Sequence, residues 1–402
     1  MRIRIEKGRA EGEVTAPPSK SMSHRLLIAA SLAEGVSTVR GISKCEDALA
    51  TIDCLRALGA QIELRGNDAI VCGMNVKKAP CKKELFCRES GSTLRFLIPI
   101  AMLSGNECIF LGSEGLMRRP TDLYERLFAE KGLKCVKKSG QIEVCGPLQS
   151  GEYTIEGNIS SQFISGLLFA LPLCDSDSVI HISGKIESRS YIELTLSALN
   201  TFGVEAYFSD DSTLKIKGGQ SYRATDVTVE GDASGAAFIE ALNFLGGDVK
   251  INGLSSDSKQ GDSVYPALFE ELKGECPVIS LGDCPDLAPV LFSLAATRNG
   301  ATFLETKRLK IKESDRAEVM AEELRKFGAS VTVNKNSVVI EPTEFHRPSE
   351  LLSGHNDHRI VMALSLLLTV VGGELDGAEA VSKSYSEFFD HLRKLKIEAI
   401  EL

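Results

Sequence analysis

The sequence predicts an α/β chain of two domains, each assembled from three copies of one repeated unit. Three observations predict it: a length of 402 residues, a helix-glycine-strand pattern that recurs along the chain, and the composition of an ordinary globular protein. At roughly 100–200 residues per domain, the length admits about two or three domains. The 43% hydrophobic and 25% charged fractions supply enough apolar surface to offset the entropy of ordering the chain. The net charge of −9 argues against a nucleic-acid coat or an anionic membrane surface as partner.

The recurring pattern is a helix ending in Leu, a Gly, then an alternating strand, a polar turn and often a second strand. Clear copies are LRALGAQIELRGNDAIVCG, LFAEKGLKCVKKSGQIEVCG, LNTFGVEAYFSDDSTLKIKGG and LRKFGASVTVNKNSVVIEP. Weaker copies are FEELKGECPVISLG and the terminal LRKLKIEAIEL, where Lys396 takes the place of the Gly. A Gly suits the left-handed residue that ends a helix, and period-two alternation marks a half-buried strand. The pivots, at Gly59, Gly132, Gly203, Gly274, Gly328 and Lys396, lie 54 to 73 residues apart. Solenoid repeats run to about 20–50 residues, so these longer units are expected to group three by three, with a boundary near Asp226 to Asp232.

Along the chain, MRIRIEKGRAEGEV alternates like a strand and lacks the apolar core of a secretory signal, which makes the cytoplasm the expected compartment. The longest apolar run, Ile360 to Val371, is short of the roughly 20 residues of a membrane span and reads as a buried helix. Eleven cysteines, at 45, 54, 72, 81, 87, 108, 135, 145, 174, 276 and 284, include no C-x-x-C. That spacing fits neither a disulfide framework nor a zinc site, and most are expected to be small core residues.

Four helix starts are rich in small polar residues. In APPSKSMSHRLLIAASLAEG, Pro17 and Pro18 fix an extended approach and Lys20, Ser21 and Arg25 crowd the first turn. Unpaired N–H groups and the helix dipole make such a place an anion site, most naturally for phosphate; a Ser cap with solvated basic side chains suits the same residues. CRESGSTLRFLIPIAM repeats the design with Ser90, Gly91, Ser92, Thr93 and Arg95, GNISSQFISGLLFALPL with Ser160, Ser161 and Gln162, and GDASGAAFIEAL is a fourth. Four together suggest helix N-termini converging on an anionic ligand.

Two runs of opposed charge follow. KRLKIKESDRAEVMAEEL carries Lys312, Glu313, Asp315 and Arg316, and GHNDHRIVMALSLL carries Asp357, His358 and Arg359. Such runs ordinarily mean solvated, salt-bridged faces. His355, Asp357 and His358 lack an i, i+4 His pair and a third ligand, so no metal is expected. DCPDLAPVLFSLAA adds Asp286 ahead of an apolar helix, as a cap or as a functional acid.

In order, PPSKSMSHR, SGSTLRF, RRPTDLYERL, SSQFISGLL, ESRSYIELTL, GDASGAAF, PDLAPVL, KIKESDRAEVMAEELRKFGA, NDHRIVMALSL and SKSYSEFF resemble 5-enolpyruvylshikimate-3-phosphate synthase over nearly the whole chain. The resemblance implies the enolpyruvyl transferase fold, an inside-out α/β barrel whose two domains each hold three βαβαββ units in pseudo-threefold arrangement. It assigns residues 1–17 and 229–402 to one domain and 18–228 to the other, with hinges near 17–20 and 226–232 that close on substrate.

The activity implied is transfer of the enolpyruvyl group of phosphoenolpyruvate to the 5-hydroxyl of shikimate 3-phosphate, on the route to aromatic amino acids. By resemblance Lys20, Ser21, Arg25, Ser160, Ser161, Gln162, Ser188, Tyr191, Asp286 and Lys312 surround shikimate 3-phosphate. Lys20, Gly91, Arg119, Gln162, Arg316, Arg359 and Lys383 surround phosphoenolpyruvate. Asp286 is the implied acceptor of the hydroxyl proton, Glu313 the proton donor to the methylene, and Lys20 the group that stabilises the tetrahedral adduct. No metal, cofactor, nucleic acid or membrane is implied, a monomer is favoured, and glyphosate is expected to compete with phosphoenolpyruvate.

The chain departs from the family pattern at Glu89, Ser92, Phe96 and Arg308, where Asn, Thr, Pro and Asn are usual. Two other readings are a transferase acting on UDP-N-acetylglucosamine and a non-catalytic anion- or RNA-binding protein. The first typically carries a reactive Cys where Glu114 stands here, and the acidic balance weighs against the second.

Overall fold

The computed structural model describes residues 1–78 and 83–402; Cys81 lies outside the described residues. The chain divides into two compact units, Pro18–Glu230 on one side and Met1–Pro17 with Gly231–Leu402 on the other.

The 18–230 unit repeats one sheet three times. Strand Lys83–Phe86 runs parallel to Glu107–Leu111, which pairs antiparallel with Gln141–Cys145, itself antiparallel to Lys134–Lys138. The strands Gly151–Glu156, Ser178–Ser183, Thr213–Ile216 and Ala206–Asp210 follow the same order. In the remaining sheet, Val36–Arg40, Asp68–Cys72 and Gln61–Arg65 receive their parallel partner, Val227–Thr228, from the far end of the unit. Strand Glu107–Leu111 shows the alternation, with Cys108 and Phe110 buried between the half-buried Glu107, Ile109 and Leu111, so one face packs against the core. The helices Gly91–Met102 and Ser161–Ala170 are buried almost all round, which places helices inside and sheets outside one apolar core.

In the second unit, strands Val278–Ser280, Ala301–Leu304, Ser337–Glu341 and Ser330–Val333 repeat that order. Leu352–Ser353, Gly373–Asp376, Arg2–Ile5 and Ala399–Glu401 repeat it again, with the first strand of the chain lying between two strands from its end. The remaining sheet stops at two described strands, Glu11–Thr15 beside Asp248–Asn252. Here the expected copy around Gly274 differs: Val278–Ser280 leaves to open the next sheet. Pro277 and a single short apolar run give no second strand with which to fold a hairpin. The apolar run is the buried helix His358–Val371, and among the described residues no helix is long and apolar enough to cross a membrane.

The pivots show the same division. Gly59, Gly132, Gly203, Gly328 and Lys396 have φ of 119, 70, 75, 91 and 66°, whereas Gly274 has no positive φ. Of the ten described cysteines, all free thiols, seven are buried and Cys276 is exposed.

Backbone conformation alone decides two glycine substitutions. A methyl on Gly132 would meet nothing within 4 Å, but its φ of 70° disfavours any side chain. Gly132→Ala is expected to lose about 1 kcal/mol in urea unfolding, whereas Gly115→Ala, inside the helix Glu114–Arg118 with only Ser113 Oγ at 3.8 Å, is expected to gain a few tenths up to about 1 kcal/mol.

Candidate active site

In the 18–230 unit the small polar helix starts both cap and bind. Ser19, Ser90 and Ser160 are the N-caps, their hydroxyls accepting from Met22 N, Thr93 N and Gln162 N. One turn later come the side chains that reach outward. Gln162 joins two of these helices: its Oε1 accepts from Arg95 Nη1 at 2.6 Å and its Nε2 donates to Ser92 Oγ at 2.9 Å. Gly91 sits among them, since a Cβ there would lie 3.0 Å from Arg119 Nη1, 3.2 Å from Arg95 Nη1 and 3.7 Å from Gln162 Oε1. Absence of a side chain is what lets Arg119 and Arg95 approach that helix end. Tyr124 fixes the two helices behind it, its single hydroxyl proton shared between Arg95 O and Phe163 O, each at 2.9 Å.

Arg25 is 2% exposed and held on three sides. Nε donates to Thr195 Oγ1 at 2.9 Å, Nη1 to Ser21 O at 2.8 Å and Nη2 to Tyr191 O at 2.9 Å. These use three of a guanidinium's five N–H donors and leave two for an anion. Burial pushes its pKa down to about 10, so it stays cationic at neutral pH. Phe96 lies beneath it, with the guanidinium carbon 5.1 Å from the ring centroid, a cation–π contact that a Pro at this position would not supply. Lys20 Nζ is 3.1 Å from Asp47 Oδ2. Ser188, at φ 57°, precedes the helix Arg189–Thr201 that carries Tyr191.

Behind these groups runs a buried hydroxyl chain. His24 Nδ1 meets Thr51 Oγ1, Thr51 Oγ1 meets Thr93 Oγ1 and Thr93 Oγ1 donates to Ser90 Oγ, each at 2.7 Å. It ties the helices Lys20–Leu32, Glu46–Leu58 and Gly91–Met102 together just below their N-termini. Burial, with Lys20 and Arg25 close by, holds the His24 pKa well below its usual value, so the ring is a neutral member of the chain.

The 231–402 unit carries a second cluster, centred on Arg316. This residue starts the helix Arg316–Lys326 and is 1% exposed. Nε donates to Asp357 Oδ2 at 2.9 Å, Nη1 to Asp286 Oδ1 at 2.7 Å and Nη2 to Glu313 Oε2 at 2.6 Å. Around Asp286, Lys312 Nζ stands at 3.2 Å and Arg359 Nη2 at 3.4 Å. Lys383 Nζ donates to Asn356 O at 2.6 Å. Burial pushes the Asp286 pKa up, but Lys312, Arg359 and Arg316 outweigh it and hold the carboxyl well below the usual range. Burial likewise lowers Lys312 more than Asp286 raises it. For Arg316 burial works downward and loses to Asp357, Glu313 and Asp286, which hold the guanidinium firmly protonated. Asp262, buried behind Asp286, is pushed up to about 6 by burial and by that neighbour.

Of the charged runs, Lys312, Arg316 and Arg359 thus meet at Asp286, with Glu313 on Arg316, instead of forming solvated faces. Asp315 caps its helix and binds none of them. Asp232 caps the fourth helix start. The His355, Asp357 and His358 trio does not converge: Asp357 is taken by Arg316 and Ser314, and His355 Nε2 by Glu323. Sequence reading missed Asp47, Asp262, Thr195 and the positioning parts of Arg95 and Asp357. Arg95, one turn after Gly91, carried a signal in its spacing; Asp47 and Thr195 carried none.

A sequence model described as EPSP synthase (3-phosphoshikimate 1-carboxyvinyltransferase) matches residues 5–392. A 3-phosphoshikimate 1-carboxyvinyltransferase of Clostridium botulinum is 38% identical over 98% of this chain and 97% of its own, and one of Clostridium beijerinckii is 39% identical over the same shares. Among solved structures, an EPSP synthase of Acinetobacter baumannii superposes with a TM-score of 0.80 at 22% identity, covering all of both chains. An enolpyruvyl transferase of Streptomyces tendae gives 0.80 at 16% identity, covering 99% of this chain and 98% of its own. With the match spanning nearly every residue, the chain belongs to the EPSP synthase family.

Proposed function

We propose that the chain transfers the enolpyruvyl group of phosphoenolpyruvate to the 5-hydroxyl of shikimate 3-phosphate, releasing phosphate, the reaction of its family. The observation that carries this reading is the pair of carboxylates on one guanidinium, Asp286 and Glu313 at 2.7 and 2.6 Å from Arg316. It supplies a base, an acid and anion-binding charge together.

In the addition step the 5-hydroxyl oxygen bonds to C2 of phosphoenolpyruvate, its proton passes to Asp286, and Glu313 delivers a proton to C3, making it a methyl group. In the elimination step Glu313 takes a proton back from that methyl, the C2–O bond to phosphate breaks, and the proton held by Asp286 passes to the departing phosphate, which restores the double bond and both side chains. Lys20 stabilises the adduct and the departing phosphate. Arg25 and Ser21 hold the acceptor's phosphate, with Ser160, Ser161, Gln162, Ser188, Tyr191 and Lys312 around its ring. Arg119, Arg316, Arg359 and Lys383 hold the donor, alongside Gly91. Planar guanidinium forks suit phosphate and carboxylate alike. Three cations that hold Asp286 anionic also make it a weak base. The substrates' own anions draw Lys312, Arg316 and Arg359 away and raise its basicity when it is needed.

Purified enzyme is expected to release phosphate from phosphoenolpyruvate only with shikimate 3-phosphate present, in excess chelator as well as without it. Equal activity with UDP-N-acetylglucosamine, or loss on chelation, would overturn the reading. Glu313→Gln should keep substrate binding in calorimetric titration and lose most turnover, because an amide preserves shape and cannot donate the proton. Arg25→Ala should instead weaken shikimate 3-phosphate binding by about ten- to a hundredfold, the worth of a charge-assisted contact. Gly91→Ala pushes a methyl against Arg119 and Arg95, so it should raise the glyphosate inhibition constant more than the phosphoenolpyruvate KM, glyphosate being the longer anion. An unchanged ratio of the two constants would remove Gly91 as the gate.

A further inference from the structure

One buried carboxylate of the 231–402 unit stands apart from the cluster around Asp286. Glu323 lies two turns beyond Arg316 on the same helix and is 0% exposed. Its Oε1 accepts from His355 Nε2 and from Lys326 Nζ, both at 2.8 Å; its Oε2 accepts from Lys326 Nζ at 2.9 Å and from Ser353 N at 3.1 Å. Burial raises its pKa, but these donors outweigh burial and hold it below the usual carboxylate range. A carboxylate only accepts, so the His355 Nε2 carries the hydrogen. Glu322, Glu323 and His355 are near enough together for a cation, but the Lys326 ammonium already supplies the positive charge on both oxygens of Glu323.

What Glu323 grips is the turn before the helix His358–Val371. His355 and Asn356 are consecutive left-handed residues, with φ of 47 and 53°; either type adopts this conformation singly, but two in succession without glycine are uncommon and call for support from neighbours. From this turn Asn356 O receives Lys383, Asp357 receives Arg316, and Arg359 reaches Asp286. One helix therefore holds the turn at two places, through Arg316 to Asp357 at its start and through Glu323 to His355 and Ser353 two turns on.

We propose that Glu323 and His355 form a positioning clamp that keeps this turn left-handed and thereby sets the affinity of Lys383 and Arg359 for phosphoenolpyruvate. The proposal rests on the function given above, and one of its readouts does not use that function. Steady-state kinetics, melting temperature and amide hydrogen exchange at residues 356–359 are measured for wild type, Glu323→Gln, His355→Ala and His355→Gln. His355→Ala should raise the phosphoenolpyruvate KM about five- to tenfold while the shikimate 3-phosphate KM moves less than about twofold, and exchange at the turn should speed up by a similar factor. His355→Gln, whose amide still donates to Glu323, should recover most of both effects. Glu323→Gln keeps the shape, folds where a smaller side chain fails, and should match His355→Ala in direction. A lower melting temperature with unchanged KM and unchanged exchange would reduce the pair to a structural role, and an equal rise in both KM values would remove its link to phosphoenolpyruvate; either overturns the proposal. Wild-type enzyme without turnover on the two substrates defeats the functional reading instead, and the exchange rates then decide the clamp by themselves.

Discussion

The charged cluster of the 231–402 unit depends on one buried guanidinium, Arg316. A guanidinium withdrawn from water is tolerated only where its charge and hydrogen bonds are met, and Arg316 meets Asp357, Asp286 and Glu313 through Nε, Nη1 and Nη2. Removing one partner from such a pair costs about 3–5 kcal/mol, because it strands the other. The constraint propagates outward. Asp357 must come from the turn before the helix His358–Val371, Glu313 from the residues just ahead of Arg316, and Asp286 from the short helical stretch Pro285–Leu287. Because the Asp286 pKa is held down, its pairing adds stability above the unfolded carboxylate range and loses it as pH falls toward the folded value.

On the proposed function, the same cluster is also unfinished as a binding site. Asp357, Asp286 and Glu313 take four of the five N–H donors of Arg316, so on the proposed function a donor anion gains more than one of them only by taking the place of an internal carboxylate. On that function, exchange of this kind would leave the charge count of the protein unchanged while freeing Asp286 and Glu313 from Arg316.

The 18–230 unit solves a related problem with neutral groups. Four helices start within reach of one another, and each start leaves N–H groups without helical partners. Serine caps satisfy some; the His24, Thr51, Thr93 and Ser90 chain and the Gln162 bridge then lock the helix ends together. Hydroxyls and a neutral imidazole do this at small desolvation cost, without burying a charge.

Much was legible in the sequence because it rests on short-range physics. The helix, glycine and alternating-strand periods gave the α/β class, and five of the six pivots, Lys396 included, take the left-handed turn that their position demands. Small polar residues at helix starts and dense Arg and Lys pointed to anions, and ordered motifs over the whole length pointed to the family. The sequence did not show that the sheet around Gly274 stops short, since that depends on which strand captures Val278–Ser280. Nor did it separate solvated charge runs from a buried cluster: KIKESDR and NDHR read alike in either case, and only packing buries Arg316 against Asp286 and Asp357. Asp47, Thr51 and Thr195 are ordinary helix residues by every local measure. Their part comes from neighbours dozens to more than a hundred residues away in the chain, and such contacts are set by how helices and sheets pack, which no local pattern encodes.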